Sequence, residues 1–174
     1  MIQYISTRGR SEGKTSAQAI IGGIAPDSGL YVPAVIPKLP MSIEEMRGLD
    51  YKRIAGSVIR AFFDDYTRDE IEYCVESAYD EKFDSEEIAP LVRAGDAYFL
   101  ELYHGRTSAF KDMALSVLPY LLTAAVRKEG EEKKICILTA TSGDTGKAAL
   151  EGFADVPGTE IDRKSTRLNS SHGS

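Results

Sequence analysis

A lysine stands where an apolar strand gives way to a helix, in the segment Leu102-Tyr103-His104-Gly105-Arg106-Thr107-Ser108-Ala109-Phe110-Lys111-Asp112. We expect Lys111 in the first turn of that helix, where the positive end of the helix dipole and partial burial beside Phe110 both disfavour the charged amine. A neutral lysine amine is a nucleophile toward carbonyl carbons. A single lysine is more often a solvated side chain near a turn, so a catalytic role for Lys111 needs a second observation.

A second strand-to-helix junction, Thr139-Ala140-Thr141-Ser142-Gly143-Asp144-Thr145-Gly146, follows the apolar strand Ile135 to Leu138. It is not a phosphate-binding P-loop, because that motif requires Gly at the position of Thr141 and Ser or Thr at the position of Ala148. A turn rich in Gly and Thr that leads into a helix still presents free backbone N–H groups to an anion. The chain therefore combines a candidate nucleophile with a candidate anion-binding turn.

These two segments resemble the threonine synthase family. The matching residues are His104-Gly105-x-Thr107-x-Ala109-Phe110-Lys111-Asp112 and Ile137 through Gly146, and the family's opening resembles Tyr4-Ile5-Ser6-Thr7-Arg8 and Gly29-Leu30-Tyr31-Val32-Pro33. The resemblance covers roughly positions 3 to 161. It implies pyridoxal 5'-phosphate as the cofactor, bound to Lys111 as a Schiff base, and a reaction that converts O-phospho-L-homoserine and water to L-threonine and phosphate.

The same resemblance implies roles for the residues around Lys111. Ser142, Gly143 and Thr145 would bind the α-carboxylate of the substrate, and Asp144 would lie at the phenolic oxygen of the cofactor, where many relatives with other substrates carry Asn. Two further side chains, Arg106 and His104, are candidates to attract the substrate phosphate. Arginine is the better geometric match for a phosphate, although many relatives carry Pro at the position of Arg106.

Three interpretations remain open at this point. The first is the N-terminal part of a threonine synthase, with Lys111 as the catalytic residue. The second is a related pyridoxal-phosphate enzyme, such as a threonine dehydratase, a cysteine synthase or a synthase-like phospho-lyase. The third is a non-catalytic truncated product. The Asp at position 144 and the His104-Gly105 pair favour the first interpretation over the second.

The elements that must position these segments follow from hydrophobic spacing. Residues 1 to 40 are rich in Gly, Ser and Pro, which predicts short strands and loops. Apolar residues at three- and four-residue spacing predict a helix from Tyr51 to Phe63. A capping box at Thr67-Arg68-Asp69-Glu70 predicts the start of the next helix.

From Ala97 onward strand and helix alternate, because a strand over Tyr98 to Leu102 precedes the lysine and Ile135 to Leu138 precedes the second turn. The alternation predicts an α/β fold with a parallel sheet. Pro119 should interrupt the intervening helix, and Gly130 should end it. We predict a small N-terminal α+β domain over residues 1–94 and the truncated start of a parallel-sheet pyridoxal-phosphate domain over 95–161.

The last residues, 162–174, differ in character from the rest of the chain. They contain one apolar residue, three basic residues and one acidic residue. This composition predicts a non-native tail that is no strand of the sheet, and we leave it out of the predicted fold.

Composition excludes several functional classes. A net charge of −6, with no basic run interleaved with aromatics before the last dozen residues, argues against nucleic-acid binding. Two cysteines far apart and two histidines suggest neither a disulfide framework nor a metal site, and we expect Cys74 and Cys136 to be reduced core thiols. The longest apolar stretch is too short and too interrupted to span a membrane, so a cytoplasmic location is the default expectation. Oligomeric state cannot be inferred.

Overall fold

A computed structural model describes residues 1–10, 12–131, 134–141 and 143–163. Within those ranges the helices are α1 (Ser16–Gly22), α2 (Ile43–Met46), α3 (Tyr51–Phe62), α4 (Arg68–Ala78), α5 (Asp112–Leu115), α6 (Leu118–Lys128) and α7 (Asp144–Phe153). The strands are β1 (Tyr4–Ser6), β2 (Tyr31–Pro33), β3 (Leu91–Ala94), β4 (Ala97–Leu100), β5 (Ile135–Thr139) and β6 (Thr159–Arg163). The mixture of helices and small sheets confirms the α/β class.

The first forty residues contain more regular structure than the sequence predicted. Strands β1 and β2 pair antiparallel, with Tyr4 opposite Pro33. Helix α1 was missed, and its start is fixed by a capping box in which the Thr15 hydroxyl accepts from the Gln18 backbone. The helix is short and its buried face consists of small residues, so its hydrophobic periodicity is weak. Packing of α1 against α6 stabilises it instead.

Helices α3 and α4 confirm the predicted pair. Asp50 caps α3, and Thr67 and Glu70 form the predicted capping box at the start of α4. The two helices pack against each other, and α4 buries Ile71, Cys74, Val75 and Ala78. The periodicity located these helices correctly because each has one continuous apolar face.

The hydrophobic core joins the first half of the chain to α6. Its buried side chains include Ala17 of α1, Ile71 and Cys74 of α4, and Leu121 and Ala125 of α6. Tyr66 reinforces this junction, because its hydroxyl donates a 2.9 Å hydrogen bond to the Leu121 carbonyl oxygen. Helix α6 therefore has a fixed position relative to α1 and α4. The domain boundary at residue 94 stays a prediction.

Two separate helices follow Lys111. Helix α5 has four residues, and α6 starts after a break, with Pro119 in its first turn. Proline is tolerated there because the first backbone N–H groups of a helix have no partner within it. Gly130 ends α6 with a φ of 71°, and the Glu131 N–H donates to the Val126 carbonyl at 3.0 Å. Both predicted interruptions are confirmed.

The strand before the lysine was assigned to the wrong sheet. The sequence predicted Tyr98 to Leu102 as part of the parallel sheet, but β4 ends at Leu100 and pairs antiparallel with β3, with Val92 opposite Phe99. The physical reason is the two-residue turn between them, in which Gly95 adopts a φ of 63°. Such turns favour a tight antiparallel hairpin. Both strands are exposed along their whole length.

A parallel pair does form further along the chain. Strands β5 and β6 flank α7 and pair parallel, with Ile135 opposite Thr159 and Thr139 opposite Arg163. Residues 162 and 163 therefore belong to a strand, which contradicts their assignment to the tail. Strand pairing uses backbone groups, so a polar sequence does not prevent it. Residues 164–174, the rest of the predicted tail, lie outside the described residues.

The two cysteines differ in environment. Cys74 is buried in the core, as expected, and burial raises the pKa of its thiol to about 11. Cys136 on β5 is exposed, which contradicts the expectation of a core thiol. Because β6 pairs with only one edge of β5, the pair leaves part of the strand accessible. No helix in the described part of the chain is long and apolar enough to cross a membrane.

Candidate active site

Residues 104–112, here called the lysine loop, are closed by hydrogen bonds between their two ends. Asp112 is buried, and its carboxyl group accepts from the Thr107 N–H at 2.8 Å and from the Thr107 hydroxyl at 2.6 Å. Gly105 lies directly against this carboxyl group, since a Cβ at Gly105 would be 2.5 Å from the Asp112 Cβ. The loop therefore returns on itself just before α5 begins.

Lys111 stands one residue before α5, at its N-cap, and not within the first turn as predicted. Its backbone is already helical, with φ −62° and ψ −25°. The side chain is partly buried, and Nζ lies 4.8 Å from the centre of the Phe110 ring. Phe110 is 59% exposed, so the amine lies near the protein surface on an aromatic ring.

His104 holds the start of the lysine loop through both ring nitrogens. Nδ1 lies 2.6 Å from an Asp84 carboxyl oxygen and Nε2 lies 2.9 Å from a Glu101 carboxyl oxygen. The hydrogen bond to Glu101, followed by that to Asp84, raises the pKa of His104 above its usual 6.5. Both nitrogens are therefore engaged in the protein, and His104 anchors the loop instead of offering a free phosphate ligand.

Arg106 projects from the lysine loop to helix α7. One of its terminal nitrogens lies 2.9 Å from an oxygen of Glu151, and both side chains are exposed. An exposed ion pair of this kind contributes little to stability. The sequence did not suggest Glu151 as a partner, because 45 residues separate the two in the chain.

The second turn leads into α7 through Gly143. Gly143 is the N-cap of α7, and no described side chain caps the helix there. The Thr141 hydroxyl accepts a 3.2 Å hydrogen bond from the Gly143 N–H, and Asp144 and Thr145 are exposed in the first turn of the helix. Ser142 lies outside the described residues. The predicted junction of a turn and a helix start is present, and its role in binding an anion stays a prediction.

Contacts across α7 bring the two segments together. The Lys147 ammonium donates to the Thr107 carbonyl oxygen at 3.3 Å, which ties the lysine loop to the second turn of α7. Further along, α5 approaches α7 so closely that a Cβ at Gly152 would collide with the Leu115 carbonyl oxygen. Sequence reasoning missed Lys147 and Gly152, since neither motif includes them. Only the packing of α5 on α7 gives them a role.

A polar atom without a partner lies at the carboxyl end of β5. The Thr139 Oγ1 atom is inaccessible to solvent and has no hydrogen-bond partner among the described residues. Buried hydroxyls are normally satisfied by protein or by a bound molecule. Groups of three or more His, Cys, Asp or Glu side chains able to hold a metal ion are absent from the residues that the structure describes.

Residues 3–79 match the sequence family described as "Threonine synthase N terminus". Over 154 residues the chain is 40% identical to the threonine synthase of Pseudomonas aeruginosa, an alignment that covers 87% of this chain and 32% of that protein. The chain belongs to the threonine synthase family. With the threonine synthase of Methylobacillus glycogenes it shares 37% identity over 170 residues, which is 92% of this chain and 35% of that protein.

The fold agrees with this assignment. A crystal structure of pyridoxal-phosphate-bound threonine synthase from Brucella melitensis superposes with a TM-score of 0.85 at 33% identity, over 94% of this chain and 35% of that chain. The chain thus spans about a third of the length of the threonine synthases that it matches. The resemblance inferred from the two loops is confirmed at the level of the family.

Proposed function

We propose that this chain is the part of a threonine synthase that carries the cofactor-binding lysine, Lys111. The protein completed to the length of its relatives converts O-phospho-L-homoserine and water to L-threonine and phosphate. The observation that supports this most directly is the closed lysine loop, which carries the partly buried Lys111 and is tied to α7 by the hydrogen bond from Lys147 to Thr107. A lysine amine at such a junction is the group that binds a carbonyl cofactor.

The described residues fit pyridoxal phosphate. Lys111 supplies the amine, and its Nζ lies 4.8 Å from the centre of the Phe110 ring. At the end of β5, the unpartnered Thr139 hydroxyl offers a hydrogen bond to a bound polar group. Pyridoxal phosphate supplies an electron sink for carbanions formed next to an amino group.

The chain's own residues have distinct tasks in this proposal. Lys111 binds the cofactor and, once released by the substrate amine, carries protons between successive substrate carbons. The turn of Ser142, Gly143 and Thr145 binds the substrate α-carboxylate at the positive end of α7, and the Gly143 N–H exchanges its hydrogen bond to the Thr141 hydroxyl for one to the carboxylate. Asp144, in the first turn of α7, is assigned to the phenolic oxygen of the cofactor.

Arg106 is proposed to bind the substrate phosphate. In the structure it pairs with Glu151, and both groups are exposed. A phosphate group carries more negative charge than a carboxylate and accepts two parallel hydrogen bonds from a guanidinium. The phosphate therefore displaces Glu151 when substrate binds, and the exposed ion pair costs little to break.

The first test is chemical labelling of the chain. Incubation with pyridoxal phosphate, reduction with borohydride and peptide mapping should place the cofactor on Lys111 in preference to Lys52 and Lys82, which are held by carboxylates. Lys111→Ala should lose this adduct, and the second amine at the junction, that of Lys147, should stay unlabelled because it donates to the Thr107 carbonyl oxygen. Labelling spread evenly over all lysines would contradict the assignment.

The second part of the test uses the protein completed with the remainder of a threonine synthase sequence. It should release phosphate and form threonine from O-phosphohomoserine, and Lys111→Ala should abolish both. A 2-oxo acid product in place of threonine would favour a related lyase or dehydratase. The 174-residue chain alone should show no sustained turnover, since it lacks the rest of the relatives' sequence.

A further inference from the structure

The buried carboxyl group of Asp112 has no role in the chemistry described so far. It is adjacent to Lys111 in sequence, only 4% of the residue's surface is exposed, and both of its oxygens are used by Thr107. Burial of a carboxyl group is costly unless each oxygen is hydrogen-bonded. Because this buried carboxyl group adjoins the candidate nucleophile, we asked what it contributes to the position of Lys111.

We propose that the pair of hydrogen bonds from Thr107 to Asp112, here called the clasp, is the device that positions Lys111, and that Thr107 and Asp112 are positioning residues. The inference rests on the proposed function of Lys111 as the cofactor-binding amine. The clasp joins the residue at which the loop turns to the residue at which α5 begins. Lys111 is held between them by its own backbone.

The geometry of the loop supports this role. Ser108 adopts a φ of 55° within the segment closed by the clasp. A non-glycine residue in this region is disfavoured, so the surrounding contacts must hold it there. The Ser108 N–H donates to the Gly105 carbonyl oxygen at 2.9 Å, which adds a second closure to the same loop. Without the clasp, the strained backbone would relax and move Lys111.

Thr107 also connects the clasp to the second segment. Its carbonyl oxygen accepts the hydrogen bond from Lys147 on α7, while its N–H and hydroxyl are both used by Asp112. Every hydrogen-bonding group of Thr107 is therefore engaged. A displacement of Thr107 would change the position of Lys111 relative to the start of α7, where the substrate carboxylate is proposed to bind.

Thr107→Val is the decisive variant, because valine matches threonine in shape and removes only the hydroxyl. Thr107→Ser is its matched control, since serine retains both donors to Asp112. A second disrupting variant, Asp112→Asn, keeps the size of the side chain and removes one acceptor. Circular dichroism and melting curves establish which variants are folded, and all comparisons are made well below the melting midpoint.

Two measurements then separate positioning from general stability. The first, without cofactor, is amide hydrogen exchange: Thr107→Val should accelerate exchange of residues 107–112 by about tenfold or more while α6 is unchanged. The second is the yield of the reduced pyridoxal-phosphate adduct on Lys111 relative to Lys52 and Lys82. This yield should fall by about tenfold, since a misplacement of about 1 Å costs up to roughly 100-fold in a positioned reaction.

Each outcome decides a different point. Faster local exchange together with a lower adduct yield, and near-normal values in Thr107→Ser, supports the clasp as a positioning device. Unchanged exchange of residues 107–112 overturns it. Faster exchange with an unchanged Lys111 adduct shows that the clasp is only structural and also overturns it. Absence of any Lys111 adduct in the unsubstituted chain overturns the proposed function, while hydrogen exchange still decides whether the clasp sets the geometry of the loop.

Discussion

His104 is the residue whose charge state the structure determines most directly. Its two nitrogens face Asp84 and Glu101, and the Tyr103 ring stacks on the imidazole at 4.8 Å. Because a neutral imidazole can donate from only one nitrogen, two acceptors favour the doubly protonated ring. The start of the lysine loop is therefore anchored by a cationic histidine.

This anchor predicts a pH dependence of stability. The pKa of His104 is raised above its usual 6.5, so its contribution is fully present below that value and is lost as pH rises through the higher value of the folded state. The melting temperature of the unsubstituted chain minus that of His104→Gln should therefore decrease as the pH rises above 6.5. Glutamine keeps a donor and does not titrate.

Melting curves in several buffers measure this difference. The control is Lys52→Gln, which removes the Lys52–Glu76 ion pair and none of the contacts of His104, so its effect on the melting temperature should vary less with pH than that of His104→Gln. A difference between the unsubstituted chain and His104→Gln that stays constant across the range would contradict the cationic anchor.

At the scale of elements, the end of α6 shows why particular glycines are needed. Gly130 has a φ of 71°, and the bonds from Gly130 N–H to Arg127 carbonyl and from Glu131 N–H to Val126 carbonyl close the helix. This is the Schellman arrangement, which requires a left-handed residue. Gly56 lies in the middle of α3, and a Cβ there would make an ordinary 3.9 Å contact with Val75.

Alanine at these two glycines should have opposite effects. We expect Gly130→Ala to lower the free energy of unfolding by about 1 kcal/mol, because L-residues disfavour the left-handed region. Gly56→Ala should raise the free energy of unfolding by about 0.5 to 1 kcal/mol, because alanine favours the helical conformation that Gly56 adopts in α3. Urea denaturation of both variants measures the changes. Equal effects of the same sign would contradict the backbone argument.

At the scale of the whole molecule, the described surface carries an apolar hairpin. Tyr98, Phe99 and Leu100 of β4 are each more than half exposed, and Leu91 and Val92 of β3 accompany them. Continuous exposed apolar patches favour association with other surfaces. An exposed strand edge beside such a patch adds unpaired backbone groups that another chain can bind.

The 174-residue chain is therefore expected to self-associate as its concentration rises. Phe99→Glu should reduce the apparent mass at a given concentration, because it places a charge on the exposed face that Phe99 shares with Val92. Ile43→Glu is the matched control, since Ile43 is 75% exposed on the short helix α2, outside the hairpin. Sedimentation velocity at several concentrations measures the effect. Equal sensitivity to both substitutions would contradict a role for the hairpin.

The sequence by itself determined the elements that depend on local physics. The helices with continuous apolar faces, the capping box at Thr67 and the stop at Gly130 follow from side-chain spacing and backbone preference over a few residues. The two loops around Lys111 and Gly143 were also found from local residue types. For the same reason they indicated the family, which the comparisons confirm.

Only the tertiary structure decided which elements meet. Strand β4 pairs with β3 through a tight turn, whereas the sequence analysis had placed it in a parallel sheet. The periodicity of a short apolar strand does not distinguish these two kinds of pairing. Helix α1 is stabilised by burial on α6, which its own sequence does not reveal. The contact of Thr107 with Lys147 depends on the approach of the lysine loop to α7. This hydrogen bond joins residues that no local pattern relates, so it becomes visible only when the chain is folded.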